Sequence, residues 1–584
     1  MKTSEKLFLI LKTNPLPFIL YGIIIFLWNG MIVYSAICLQ SLFDVFEESN
    51  HISEKIYFHV AVLVGVYIIR GVTSFVVMGL ECWGGFFVDS FLKLNVVEKI
   101  YAAYGAKFSD KAEGEILNIF RSDIDQIKNF LLQLTEETAL GIYFCVIMIV
   151  LMKINPLILL VTLVISFSSV FLIRAGFESL AKYRKEVRKT DGIVNSFAGE
   201  VLTSTLAVKM AGTENCILDY YEELGRKRER ISVRENVLKQ VLNSANQVSF
   251  QIGEGVILLL AFELMRNGNF SMGDFALFTF LFDSISNIIS STAQLITQIP
   301  QVEIAFERLE TLVGECEENT ENIKLLYQKR RDETEKKEVD IDKVLQRLEV
   351  RNLEIYNQNG NRILEKINMV LDKGSITVVV GKTMEGKTML LRSILGLYPM
   401  SSGELYYNGK KILNPSRCLV PPRAAYTPQK PNFFNNSIRN NIMLGRVNSG
   451  RKEENDLEGV LWLSALQKDF EDGRLDMDTI LGVKGTKISG GQRKRIALAR
   501  MYARKAELYV LDDVSNALDV ETELELWKQV KKQFGKTFLI ASNSRYAIEI
   551  ADQIVLLENG KAQVYKSLEE AISKSSYMRL LVNT

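Results

Sequence analysis

The chain has 584 residues, too many for one hydrophobic core, so at least two domains are expected. Its 70 basic and 69 acidic residues nearly cancel, which gives no case for nucleic acid as a partner. The cysteines stand singly (Cys38, Cys82, Cys145, Cys216, Cys316, Cys418) with no metal-site or redox spacing, so they read as reduced or membrane-buried thiols.

Apolar residues make up 48% of the chain and crowd into its N-terminal half. Lys2–Lys12, with Pro15 and Pro17 behind it, lacks a small-residue cleavage site and reads as an interfacial elbow helix rather than a signal peptide. Six apolar runs follow: Pro17–Leu42, Tyr57–Leu80, Ala139–Met152, Leu157–Ile173, Val248–Met265 and Phe275–Ile299. A helix that spans a bilayer needs roughly 17 to 25 such residues, and six runs in one half argue for a membrane domain over buried soluble helices. The third run is short, and the sixth is rich in Ser and Asn. The segment between the fourth and fifth carries Lys182, Arg184, Lys185, Arg188, Lys189, Arg226, Lys227, Arg228 and Arg230, whereas the one between the first and second is acidic (Asp44, Glu47, Glu48, Glu54). This bias puts the long loops, both termini and the C-terminal domain in the cytoplasm. Lys153-Ile154-Asn155-Pro156 reads as a tight hairpin, and the periodic apolar residues of the long loops predict helices running well past the bilayer.

Arg70, Glu254 and Asp283 are costly in lipid and should face a cavity or one another. Ser284, Ser286, Asn287, Ser290 and Ser291 share the sixth run, which makes it the best candidate for lining a path, although such groups can also simply join helices. The expected division is 1–314 for the membrane domain, a charged linker over 315–342, and a soluble domain over 343–584.

The soluble domain opens with strand-like Arg347–Ile355, a turn at Asn359-Gly360 and strand Ser375–Val380. Gly381-Lys382-Thr383-Met384-Glu385-Gly386-Lys387-Thr388 then fits the phosphate-binding pattern G-x4-G-K-[ST] and leads into an apolar helix from Met389. Glycines let backbone N–H groups curl around phosphate oxygens; Lys387 adds positive charge at the β/γ-phosphates, and Thr388 is placed to hold Mg²⁺. Met384 and Glu385 are unusual where such loops often carry a third glycine and a small residue. Further on, Ile488-Ser489-Gly490-Gly491-Gln492-Arg493-Lys494-Arg495 precedes a helix, and its glycine-rich start is a second anion site. Leu508–Leu511 is a buried strand that ends in Asp512, a natural Mg²⁺-positioning carboxylate.

With these motifs in hand the chain resembles, over essentially its full length, an ABC transporter half of the exporter type. The implied fold is an α-helical polytopic membrane domain with six spanning helices, fused to an α/β P-loop nucleotide-binding domain. The implied cofactors are ATP and Mg²⁺. On this resemblance Gln429, in Tyr426-Thr427-Pro428-Gln429, reaches the Mg²⁺ held by Thr388 and Asp512, and Asp519 belongs to the loop Asn516-Ala517-Leu518-Asp519. Ser489, Gly490, Gly491 and Gln492 contact the nucleotide of an opposing cassette. Gly114–Leu117 with Ser122-Asp123-Ile124 resembles a first coupling-helix region, and Glu200, Val208-Lys209 and Gly212-Thr213-Glu214 a second. The aromatic that stacks on adenine is open: Tyr356 is near, but alignment to the pattern puts Asn357 there.

Two positions depart from the family. Asp513 stands where a glutamate usually polarises the attacking water, and Asn543 stands where a histidine senses the γ-phosphate. The chain has only two histidines, His51 and His59, both in the apolar half. A positioned base contributes about 10²–10⁴ in rate, and asparagine brings no positive charge, so this chain's own site is expected to bind Mg-ATP and hydrolyse it poorly. The expectation is therefore an asymmetric heterodimer, whose partner is a second ABC half carrying the glutamate and the histidine. A slow homodimer, an ATP-gated channel and a regulatory subunit are the alternatives. The absence of an organelle presequence points to a bacterial inner membrane. With nothing ahead of the elbow helix, a leader-cleaving protease domain is not expected. Membrane lipid and an unidentified cargo complete the expected partners.

Overall fold

A computed structural model describes residues 2–48, 54–102, 113–266, 270–314, 344–356, 360–444, 454–533 and 535–583. The chain forms two compact units, one helical and one built on two β-sheets.

Among the described residues the helical unit has six long helices: Leu16–Glu48, Glu54–Ala102, Ile124–Ile154, Pro156–Thr203, Glu214–Arg266 and Met272–Gly314. Each contains one predicted run and overshoots it. The 49 residues of Glu54–Ala102 extend about 74 Å at 1.5 Å per residue, more than twice the roughly 30 Å of a hydrocarbon core. Among the described residues, five of the six carry a stretch long and apolar enough to cross a membrane. The remaining helix, Pro156–Thr203, holds the fourth run, part of which has side chains outside the described residues. The third run looked short because Gln133, Thr135, Glu136 and Glu137 stand just ahead of it in the sequence. The helix itself begins at Ile124, where Ile124, Ile127, Phe130 and Leu131 are already buried.

Local chemistry sets the turns. Asn155 Oδ1 accepts from the N–H groups of Leu157 (3.0 Å) and Ile158 (3.3 Å), and Pro156 takes the first helical position, where no N–H is needed. Asp44, at the end of the first long helix, accepts from Ser271 Oγ at 2.7 Å, and Gln40 donates to Asp274 at 2.7 Å; together they fasten the first helix to the start of the last. The predicted elbow is a helix, Thr3–Thr13, with Lys6, Leu7 and Ile10 buried. Lys6 pairs with Glu310 at 2.8 Å and lies over the Phe306 ring.

The second coupling-region motif is an exposed short helix, Thr205–Ala211, stopped by Gly212 at φ +63°. Leu206 and Met210 point outward from it. In the first motif Glu113–Asn118 is a helix, and Asp123 is buried at the end of a π-turn, facing Arg308 at 3.6 Å. Residues 103–112, Asn359 and the linker over 315–342 lie outside the described residues.

In the second unit a four-stranded antiparallel sheet runs in the order β2-β1-β4-β5, with β1 Arg347–Tyr356, β2 Arg362–Asp372, β4 Ser402–Tyr407 and β5 Lys410–Ile412. A six-stranded sheet runs β10-β9-β3-β8-β7-β6, with β3 Ile376–Gly381, β6 Ala424–Thr427, β7 Leu508–Asp512, β8 Thr537–Ala541, β9 Gln553–Glu558 and β10 Lys561–Tyr565. All but β10 are parallel. Strands β3, β7 and β8 are buried along their whole length, as parallel strands covered on both faces must be, and this explains their Val, Leu and Ile content. Because these strands are parallel neighbours, their carboxyl ends share one edge, where ligands bind in such sheets.

Candidate functional site: a nucleotide cradle at the sheet edge

Chain geometry at the end of β3 dictates a phosphate loop. A β carbon on Gly381 would lie 2.7 Å from the Leu557 carbonyl oxygen, so only glycine fits where the strand leaves the sheet. The backbone curls through Lys382–Gly386, with Gly386 at φ +91°, and enters the helix Lys387–Ile394. Met384 sits at φ +72° with its side chain 97% exposed, a conformation that favours the glycine such loops often carry. Lys387 Nζ folds back onto the Gly381 carbonyl and onto the Lys382 carbonyl at 3.2 Å. Burial holds its pKa below the usual lysine range, and Asp513, Asp512 and Glu385 oppose that shift. An arriving phosphate gives this ammonium a stronger acceptor than two carbonyls.

Thr388 donates to Asp512 Oδ1 at 2.9 Å, and Met389 continues the helix. The other Asp512 oxygen accepts from Tyr426 Oη at 3.1 Å, and that hydroxyl accepts from Arg392 Nε at 3.2 Å. Burial pushes the Asp512 carboxyl up from its usual range, while the Thr388 and Tyr426 bonds and Arg392 pull it down.

Asp513 follows with φ +49°, its N–H held by the Ala541 carbonyl at 2.9 Å. Gln429 Nε2 donates to its carboxylate at 3.0 Å and Asn516 Nδ2 at 3.3 Å. Asn543 comes two residues after β8. Adjacency of β3 and β8 brings it to Gly381, where its amide donates to the carbonyl at 2.9 Å and accepts from the N–H at 3.2 Å. This reciprocal pair also fixes which way round the amide sits. Asn543 therefore braces the loop.

Lys382–Met389, Gln429, Asp512, Asp513 and Asn543 line one cavity of about 750 Å³, a size that suits a nucleotide. Gly381, at the root of the loop, and three other predicted groups lie outside its lining. Tyr356 ends β1, half exposed, with its N–H donating to Ser401 Oγ at 3.2 Å; Asn357 lies outside the described residues. Ser489 caps the 13-residue helix Gly490–Tyr502 reciprocally with Gln492: Ser489 Oγ accepts from Gln492 N at 3.2 Å, and Gln492 Oε1 accepts from Ser489 N at 3.1 Å. A β carbon on Gly490 would meet nothing within 4 Å, so that helix start is open to a ligand from outside. Asp519 caps the helix Val520–Lys531 by accepting from Thr522 N at 2.9 Å and Thr522 Oγ1 at 2.8 Å.

Sequence reasoning missed Tyr426 and Arg392. Tyr426 stands three residues before Gln429, but only the register Tyr426↔Val510, two residues before Asp512, shows that its hydroxyl reaches the carboxylate.

In the helical unit, Arg70, Glu254 and Asp283 line a single cavity of about 1100 Å³ together with Ser284, Ser286, Asn287 and Ser290. Arg70 lies over the Trp28 ring at 4.1 Å, and the Trp28 indole donates to the Arg70 carbonyl at 3.1 Å.

Comparison with known proteins agrees with this geometry. The family model for the ABC transporter transmembrane region matches residues 18–289, and the ABC transporter model matches residues 364–516. An ATP-dependent lipid A-core flippase of Legionella pneumophila (strain Paris) is 24% identical over 527 residues, 88% of this chain and 85% of that protein. The mitochondrial iron-sulfur clusters transporter ATM1 of Yarrowia lipolytica is 24% identical over 398 residues, 67% of this chain and 53% of that one. Among solved structures, a bacterial Atm1-family ABC exporter with ATP bound superposes with a TM-score of 0.80 at 17% identity, covering 97% of this chain and 98% of that one. With a phosphate loop, Asp512 and a glycine-rich helix start on one cassette, and both family models matched in order along most of its length, the chain belongs to the ABC transporters, as a helical membrane domain fused to an ATPase cassette.

Proposed function

We propose that this chain is one subunit of an asymmetric heterodimeric exporter, in which its own phosphate loop binds Mg-ATP and turns it over slowly. The observation that carries this reading is Asn543: its amide oxygen and one of its two N–H donors are engaged with the Gly381 backbone, and it brings no positive charge to the γ-phosphate. Asp513 adds to the loss, since its carboxylate is one methylene short and is held by Gln429 and Asn516. The partner is a second ABC half with glutamate and histidine at the matching positions, and Ser489–Gln492 of this chain completes that partner's site.

Thr388 and Asp512 suit Mg²⁺ as a pair, because a hydroxyl and one carboxylate beside a triphosphate are the usual protein share of its octahedron. Among the described residues no cluster of three His, Cys, Asp or Glu competes for a metal. Thr388 and Asp512, with Gln429 nearby, would hold the ion, which would neutralise phosphate charge there. The protein's part is to cradle the phosphates on backbone N–H groups and to place Lys387 against them.

The helical domain (1–314) is read as spanning a bacterial cell membrane, with the linker over 315–342, the cassette (343–584) and both termini in the cytoplasm. The relatives named above are a flippase and a transporter, which supports a lipid-like, peptide or small-molecule cargo moved outward by alternating access through the Arg70–Glu254–Asp283 cavity. The test is purification of the tagged chain from its host in mild detergent, with intact-complex mass and subunit identification. A stoichiometric second half carrying glutamate and histidine is the expected result. A dimer of this chain alone would sink the heterodimer and leave a slow homodimer.

A further inference from the structure

The helix that begins at Ser489–Gln492 is fastened to the Asp513 loop of the same chain. Lys494, one turn into that helix, donates from Nζ to the Asp513 carbonyl at 2.7 Å and to the Asn516 carbonyl. The loop it holds is bent against its preference: Asp513 lies at φ +49° and Ala517 at φ +96°, both left-handed and neither a glycine. The same segments touch again at Gly491, where a β carbon would come 3.3 Å from the Ala517 carbonyl oxygen and 3.4 Å from the Leu518 side chain. A close glycine contact sets the spacing, and a charged donor shared by two converging carbonyls sets the angle.

Asp513 belongs to this chain's own ATP site. Under the heterodimer proposed above, Ser489–Gln492 completes the partner's site. We infer that Lys494 is a positioning residue joining the two: it keeps the Asp513 loop turned and makes the Ser489 helix move with it. Nucleotide loading against Asp513 and Gln429 is then transmitted to the motif facing the other nucleotide. Lys494 lies outside the cavity lining, so its effect is on geometry and not on nucleotide contact. The inference rests on the proposed function only through the assignment of the two motifs to different sites.

The experiment uses the transporter as assembled in its host membrane, with Lys494→Met (similar length, no charge) and Lys494→Arg (charge kept). Steady-state ATPase is measured against Mg-ATP concentration, and photolabelling with an azido-ATP reports nucleotide on this chain's phosphate loop. In Lys494→Met, kcat is expected to fall about tenfold with KM for ATP within about twofold and labelling retained, while Lys494→Arg recovers most of the loss. An unchanged kcat in Lys494→Met overturns the inference. So does a joint decline of kcat, labelling and melting temperature in both variants, since that marks a fold defect. A wild-type complex that hydrolyses no ATP overturns the transporter reading itself, and can be told apart from either result.

Discussion

Restoring the two altered positions together, Asp513→Glu with Asn543→His, tests whether lost chemistry is what distinguishes this ATP site. The Asp513 carboxylate now lies 3.0 Å from Gln429 and 3.3 Å from Asn516; glutamate extends it by one C–C bond, about 1.5 Å, toward the cavity. A positioned general base contributes about 10²–10⁴ in rate, and the low end, 100-fold, corresponds to about 2.7 kcal/mol of barrier. Against this, Asn543→His disturbs two hydrogen bonds to Gly381, each worth about 1 kcal/mol net. An imidazole can keep one of them, so ATP binding should weaken by about fivefold. The assay is single-turnover hydrolysis of γ-labelled ATP at saturating Mg-ATP, in a complex whose partner has lost its own phosphate-loop lysine, so that only this site reports. The expected result is about a hundredfold faster hydrolysis than the unaltered chain in that background. No gain with ATP still bound would refute the reasoning and move the cause to the Met384-Glu385 turn or to the motif facing it.

Three further outcomes follow from the geometry. Asp469→Ala removes the buried partner of Arg495, leaving that guanidinium the Ala465 carbonyl at 2.7 Å, and should cost about 3–5 kcal/mol; a thermal melt of the purified protein that shifts by less than a degree would contradict it. Met384→Gly releases a left-handed residue whose side chain is 97% exposed, so a net gain of about 0.5–1 kcal/mol is expected after the flexibility glycine adds to the unfolded chain. A fall in melting temperature would mean that Met384 makes a stabilising contact. Asp283→Asn neutralises an acid of the membrane-domain cavity and should lower uptake of a cationic dye into inside-out vesicles severalfold; undiminished uptake would remove Asp283 from the cargo path.

What could be read in advance was whatever short spacing specifies. The phosphate loop needs its glycines, lysine and threonine at fixed intervals between a strand and a helix, and β3 and Lys387–Ile394 supply that context. The place of Asp512 at the end of an apolar strand was equally plain, and the structure sets its carboxylate against Thr388. Groups acting across the sheet were hidden. That Asn543 meets Gly381 depends on β8 lying beside β3, and that Tyr426 meets Asp512 depends on the β6–β7 register; neither is written in local sequence. The pairing of Asp123 with Arg308, far along the chain, was hidden for the same reason. That the long helices run past the apolar stretches was legible too, from the periodic apolar residues of the long loops, although a hydropathy reading alone stops where polar residues begin.

The brace between Asn543 and Gly381 has a consequence for the stability of the cassette. A loop shaped before its ligand arrives loses little freedom on loading, and a site that seldom cleaves its nucleotide keeps it. On this reading ATP acts here as a structural ligand that adds RT ln(1 + [L]/Kd) to the folded state, about 2.7 kcal/mol at a hundred times Kd. The resistance of the cassette to heat and proteases would then follow the energy charge of the cell, and starvation would register as a less durable protein as well as a slower pump.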